Sequence, residues 1–178
     1  VRRAYRVRPA IASVRDARRS GRTLSITMGD LDPANPPALL IECIVPTHNG
    51  GTFRIARVSV SHAGTAGQRT AAATEDVVVN YSLSARREEP NPLVMNTVER
   101  VTAYALQTKA LDDVAAGNVA GATQKLRAAV TRLLTVGEVQ LAEQVQAEAA
   151  RLAESGEVSP ESAKELRYAT RKLTQRLD

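Results

Sequence analysis

Three side chains in this sequence could bind a metal through nitrogen or sulfur, or serve a nucleophile: His48, His62 and Cys43. A metal centre needs several such donors converging at a ligand-type spacing, and these follow no such spacing. A Ser–His–acid or Cys–His pair would have to draw on the same two histidines, and no nucleophile-elbow sequence is present. The pattern around them places Cys43 inside a strand as a small buried hydrophobe, and both histidines as solvated residues. Asp30, Asp32 and the pair Glu75-Asp76 offer oxygen ligands for calcium, but Asp30-Leu31-Asp32-Pro33 reads as a turn before a strand. Ser159 and Ser162 stand near Lys164, with Ser159 accounted for as a helix cap. No glycine-rich phosphate loop occurs, since Gly50-Gly51 falls between strands rather than before a helix. No pair of carboxylates stands out for acid–base work. The expectation is a chain with no catalytic residue, no cofactor site and no metal site: not an enzyme.

Charge is the stronger signal. Arg2, Arg3, Arg6, Arg8, Arg15, Arg18, Arg19 and Arg22 set eight positive charges in the first 22 residues against Asp16 alone. The formal net charge is +5, and all of it lies in residues 1–90, because residues 91–178 carry 11 basic and 11 acidic side chains. Such a patch could neutralise nucleic-acid phosphates. Alternating arginines on a strand also make an ordinary solvated face, and only Tyr5 is at hand to stack on a single-stranded base. A basic nucleic-acid-binding module is therefore the alternative reading and not the first one. The arginines expected to touch a partner are Arg54 and Arg57 on the face of a strand, and Arg167 and Arg171 on the last helix.

The elements that carry these residues change grammar at residues 85–93, where Pro90 and Pro92 follow four consecutive charges. Before this point apolar residues recur with period two; after it they recur every three or four. Strands are expected at Ala4–Val7, Ile11–Val14, Thr23–Met28, Ala38–Val45, Phe53–Ser61 and Asp76–Leu83. Ala38–Val45 is apolar nearly throughout and reads as central. The alternation in Phe53–Ser61 slips once between Ile55 and Val58, as a bulge would make it. His48-Asn49-Gly50-Gly51 reads as a hairpin loop, and residues 63–74 as a loose loop. Four helices follow. The first carries a stripe of Val94, Val98, Val101, Ala105, Thr108, Leu111 and Ala115. The second presents Val119, Ala122, Leu126, Val130, Leu133 and Leu134, and the third Leu141, Val145, Ala149 and Leu152. The fourth begins at Ser159-Pro160-Glu161. The expected architecture is α+β: an Ig-like antiparallel β-sandwich of about six strands over 1–88, then an antiparallel bundle of three to four helices over 93–178.

Composition narrows the classes further. With 178 residues, 43% hydrophobic, the chain can bury a core. Aromatics are only 3%, so that core must be aliphatic. No stretch approaches the ~18–20 apolar residues of a membrane span, and one cysteine cannot form an internal disulfide. The expected location is the cytoplasm, with no membrane partner. The first residue is Val1, inside a strand-like run, which suggests that the natural beginning lies upstream.

The stretches MNTVERVTAYALQTKALDDVAAGNVAGATQKLRAAVTRLLTVGE (Met95–Glu138) and LAESGEVSPESAKELRYATRKLTQ (Leu152–Gln175) resemble the C-terminal tail of bacterial von Willebrand factor type A domain proteins. The earlier runs VRRAYRVRPAIASV and GDLDPANPPALLIECIVP are similar to the β-rich segment that follows the metal-binding domain in that family. The type A domain itself binds a divalent cation through a DxSxS loop, and no DxSxS occurs here. The resemblance thus implies the companion region without its metal module: a non-enzymatic accessory, scaffold and protein-interaction region. Its implied partners are an upstream type A domain or another protein. If an upstream segment normally adds a strand, self-association through an exposed strand edge is a further expectation. An enzyme with an unrecognised site is the third reading.

Overall fold

The computed structural model describes the whole chain except residues 9, 31, 33, 35, 64–68, 85–88, 157–163, 165–167 and 169–178. Its class is α+β, with three helices and small antiparallel sheets. The chain forms two compact units, one from Val1–Glu42 with Pro90–Asp178 and the other from Cys43–Glu89.

In the first unit, β1 (Arg3–Arg6) lies between β2 (Ala12–Ser13) and β5 (Leu39–Glu42) in a three-stranded antiparallel sheet. Its register pairs Tyr5 with both Ser13 and Leu40. The apolar run 38–45, expected to be central, supplies an edge strand of that sheet. Prolines at 36, 37 and 46 bracket the run and leave four residues in the ladder. Beyond them Cys43 is exposed rather than buried, and so is Ile44. A continuous apolar run reports composition, not the number of neighbouring strands. A second sheet pairs β3 (Arg18–Ser20) with β4 (Thr23–Ser25), in the register Arg18↔Ser25, Arg19↔Leu24 and Ser20↔Thr23. Gly21, at φ 55°, supplies the left-handed turn residue between them.

The helices start where their caps stand. Asn91 accepts from the Leu93 backbone N–H at 2.9 Å ahead of α1 (Pro92–Ala115), and Pro92 occupies the first turn where its missing N–H costs nothing. Asn118 caps α2 (Val119–Thr135) through the Gly121 N–H at 3.0 Å. Gly156, at φ 71°, closes α3 (Val139–Ser155). Three-residue links fold each helix back on the one before it. Leu126, Leu133, Val145 and Leu152 are fully buried in the core between them. Each contributes about 1.5–3 kcal/mol by leaving water.

The stripe expected on α1 is only part of what it buries. Val101 of that stripe is buried and Leu111 packs on the core, but Val94 and Ala115 at its ends are exposed, while Ala103, Gln107 and Ala110 outside it are buried. The reason is that α1 has two packed sides. Ala103 and Ala110 meet α2 and α3, while Val101 and Tyr104 pack on Val7, Ile11, Tyr5 and Leu40 of the small sheet. A helix covered on two sides shows no single apolar stripe. On α2, Leu134 likewise stands out to solvent while Ala129 is buried. The fourth helix expected after Ser159 lies outside the described residues except at Lys164 and Tyr168, which are helical and exposed.

Candidate interaction surface

The second unit is built around a long antiparallel ribbon, β6 (Gly51–Ala63) with β7 (Arg69–Tyr81). The stretch read as a loose loop at 63–74 therefore holds strand from Arg69 onward, paired with the far end of β6. Its Thr and Ala residues resemble loop composition, but a long partner ladder overrides that weak propensity. His48-Asn49-Gly50-Gly51 is not a hairpin loop between paired strands, since β5 and β6 lie in different sheets.

Register determines what this ribbon presents. Phe53 faces Val79, Ala56 faces Val77, Val58 faces Glu75 and Val60 faces Ala73. The shift between Arg54 and Ala56 leaves Ile55 as the extra residue, where the sequence slips phase. That bulge keeps Phe53, Ala56, Val58 and Val60 on one side despite their uneven spacing. The same side receives Tyr81, Val79, Val77 and Ala73 from β7. One face is thus apolar apart from Glu75. Phe53, Val58, Val60 and Val77 on it remain 37–47% exposed.

The opposite face is polar and internally satisfied, with Val78 its one large apolar residue. Arg57 grips Asp76 with two bonds, Nε to Oδ1 at 2.7 Å and Nη2 to Oδ2 at 3.1 Å. Arg54 Nη1 reaches the same carboxylate at 3.1 Å. Hydrogen bonding from Arg57 foremost, with Arg54 adding to it, lowers the Asp76 carboxyl from 3.8 to about 2. The same contact raises the Arg57 guanidinium above its usual value. The Ser59 and Thr74 hydroxyls share a bond of 3.2 Å farther along. Arg54 and Arg57 are therefore exposed, as the sequence led us to expect, but their forks are engaged across the ribbon. Arg167 and Arg171 lie outside the described residues.

At the base of the ribbon stands a ring cluster that sequence reasoning missed. His48, read as a solvated loop residue, stacks on Phe53 with ring centroids 4.7 Å apart. Tyr81 meets both rings edge-on, at 5.3 and 5.6 Å. Its hydroxyl donates to the Pro46 carbonyl at 2.8 Å, tying the incoming loop to the strand. The signal available was the pairing of Gly51 with Tyr81, which sets Tyr81 beside Phe53; it becomes visible only once the register is known. A Cβ at Gly51 would lie 3.3 Å from the Phe53 ring, at φ 143°, so glycine admits the close approach.

Among the described residues, no group of three or more His, Cys, Asp or Glu side chains is placed to hold a metal ion. No described helix is long and apolar enough to cross a membrane.

Residues 92–176 match the Sll0103-like, C-terminal alpha-helical domain family. The fold is similar to that of a solved von Willebrand factor type A protein from Catenulispora acidiphila, with TM-score 0.59 and 18% sequence identity. The match covers 96% of this chain and 42% of that one, so the chain spans less than half the length of its structural neighbour. No curated protein matches the sequence.

Proposed function

We propose that this chain is a non-enzymatic scaffold and protein-interaction region of a bacterial protein that also carries a von Willebrand factor type A domain. The observation that carries this reading is the uncovered apolar face of the β6–β7 ribbon. A two-stranded ribbon is marginal by itself in water, and gains stability when its apolar face is covered or its edges are extended. Its bulge concentrates apolar side chains on one side, and that pattern is useful only if something packs there. On this reading the ribbon contributes two strands to a larger sandwich, completed by the polypeptide that carries the type A domain. The partial coverage of the longer structural neighbour supports that view. In isolation the free ribbon edges favour self-association.

Two measurements test the proposal. An antibody to this region, applied to source cells, gives the intact mass of the native product. A mass larger by a domain of ~150–200 residues, with a DxSxS peptide in its digest, supports the assignment; a mass near 19.1 kDa overturns it. Hydrogen exchange then compares the ribbon amides in the native product with those in this chain alone. Covering the ribbon should slow exchange throughout β6 and β7, and unchanged exchange would remove the ribbon as the interface.

A further inference from the structure

The arginines of the second sheet are clustered and, unlike most other described arginines, are not in ion pairs. Where the other arginines in ion pairs meet carboxylates, with Arg2 on Glu42, Arg57 on Asp76, Arg100 on Glu138 and Arg132 on Glu99, those of β3–β4 do not. Arg15, Arg18, Arg19 and Arg22 form no ion pair with any described residue. The one acid near them in sequence, Asp16, is taken by Arg6, whose Nη2 lies 2.9 and 2.8 Å from its two oxygens. The same guanidinium donates to the Thr27 carbonyl at 3.1 and 2.6 Å. Arg6 therefore clamps the segment before β3 to the segment after β4, and holds the ribbon formed at its base. The cluster is positive because its only local acid is used for that clamp.

We propose that the β3–β4 ribbon is a docking surface for the phosphate backbone of a nucleic-acid duplex. Alternation puts Arg18, Ser20, Thr23 and Ser25 on one face, so guanidinium and hydroxyl donors stand together. That donor set is the one proteins use on phosphate oxygens. Donors on one face of a strand recur every two residues, ~6.8 Å, and phosphates advance ~3.4 Å along each strand of a duplex, so donors on that face can meet alternate charges. A two-stranded ribbon also has the width to enter the major groove. All its residues are exposed except Leu24, which is half-buried opposite Arg19. Protein partners dock around an apolar centre, and this surface offers none; nucleic-acid interfaces are polar and positively charged. With no aromatic on the ribbon, unstacked bases have no platform, which selects a duplex over a single strand. This surface is separate from the β6–β7 face and stands whether or not the scaffold reading does.

The test is fluorescence anisotropy of this chain with a labelled mixed-sequence DNA duplex over a salt series. Two phosphate contacts, by Arg18 on the hydroxyl face and Arg22 at the turn, give a slope of about −1.8 in log K against log salt, or a ~12-fold loss of affinity between ~50 and ~200 mM. The triple variant R18Q/R19Q/R22Q replaces each guanidinium by a neutral polar group and should bring the slope close to zero. Arg127→Gln on α2 removes an exposed charge elsewhere and should leave the slope unchanged. Circular dichroism of the triple variant checks that it remains folded. Absence of duplex binding at ~50 mM salt, or an unaltered slope in the triple variant, overturns the proposal. So does tighter binding of labelled polyglutamate than of the duplex, which would assign the ribbon to an acidic protein segment.

Discussion

Glu138→Gln isolates the energetic role of an ion pair that lies almost out of reach of water. Arg100 on α1 places Nη1 2.7 Å from Glu138 Oε1, with the two side chains only 9% and 16% exposed. Arg100 Nε also donates to Asn96 at 2.8 Å, which fixes the guanidinium one turn along its own helix. Glu138 sits in the link between α2 and α3, so the pair ties the start of the helical region to its second turn. Glutamine keeps the shape and removes the charge. It does not disturb the start of α3, because the Glu138 side chain makes no capping bond there. Its backbone carbonyl, which accepts from Ala142 at 2.9 Å, is untouched by the substitution.

Neutralising Glu138 takes a counter-charge away from the buried guanidinium, which costs about 3–5 kcal/mol. For a chain of this length that lowers Tm by about 6–20 °C. Arg132→Gln is the internal comparison. Its partner Glu99 is at 3.1 Å, but the arginine is 47% exposed, so solvent screens the pair and the loss should stay below ~1 kcal/mol. The assay is urea unfolding followed by circular dichroism, with m-values checked for constancy. The double replacement R100M/E138L should recover most of the lost stability, since apolar groups of similar size often do as well as a buried pair. A loss below ~1 kcal/mol for Glu138→Gln would refute the reasoning, and would mean that water reaches this pair despite its burial.

Three other perturbations have definite signs. Thr123 Oγ1 on α2 is buried with no hydrogen-bond partner among the described residues, so Thr123→Val should stabilise by about 1 kcal/mol, read as a rise in urea midpoint at constant m. Asp76→Asn should loosen the β6–β7 ribbon at neutral pH, measured by amide exchange. The folded carboxyl titrates at about 2 against an unfolded value near 3.9, so its contribution is complete above about pH 4 and lost as pH falls through 2. Parent and variant should therefore converge in strong acid, and a difference that persists there would refute the assignment. His48→Ala removes both ring contacts of that side chain, at about 0.5–1.5 kcal/mol per aromatic pair, and should speed exchange at Phe53 and Tyr81 before the rest of the ribbon.

Local chemistry was legible in the sequence, and neighbour relations were not. The change of grammar at Pro90 and Pro92 marks the start of α1 because a proline acts within its own turn. The bulge at Ile55 was visible for the same reason, as a single slip in a period-two pattern. Ala38–Val45 was misplaced because an apolar run is compatible with a central strand or with an edge strand beside prolines. The stripe on α1 held at Val101 and Leu111 but missed Ala103, Gln107 and Ala110, because a helix packed on two sides superposes two patterns. Glu138 gave no sign of pairing with Arg100, 38 positions earlier, because both read as ordinary helix-surface charges. Of the arginines singled out for partner contact, Arg54 and Arg57 were recognised by exposure. Their shared carboxylate depends on a register that turns on the bulge.

The two uncovered surfaces have opposite chemistry, and that difference makes them separable by experiment. Burying the β6–β7 face gains free energy through area removed from water, a term that screening salt barely weakens. Docking on the β3–β4 arginines gains it through released counterions, a term that falls steeply with salt. The helices supply neither: residues 91–178 are balanced in charge, and the ion pairs of α1–α3 are internal. A balanced bundle exerts little long-range pull, so it adds little to either kind of binding. Val58→Asp on the apolar face should therefore abolish association that survives high salt, and leave untouched the association that salt removes. The triple glutamine variant of the arginine ribbon should do the reverse. If one substitution altered both, the two surfaces would be parts of a single interface, and the division drawn between them would be wrong.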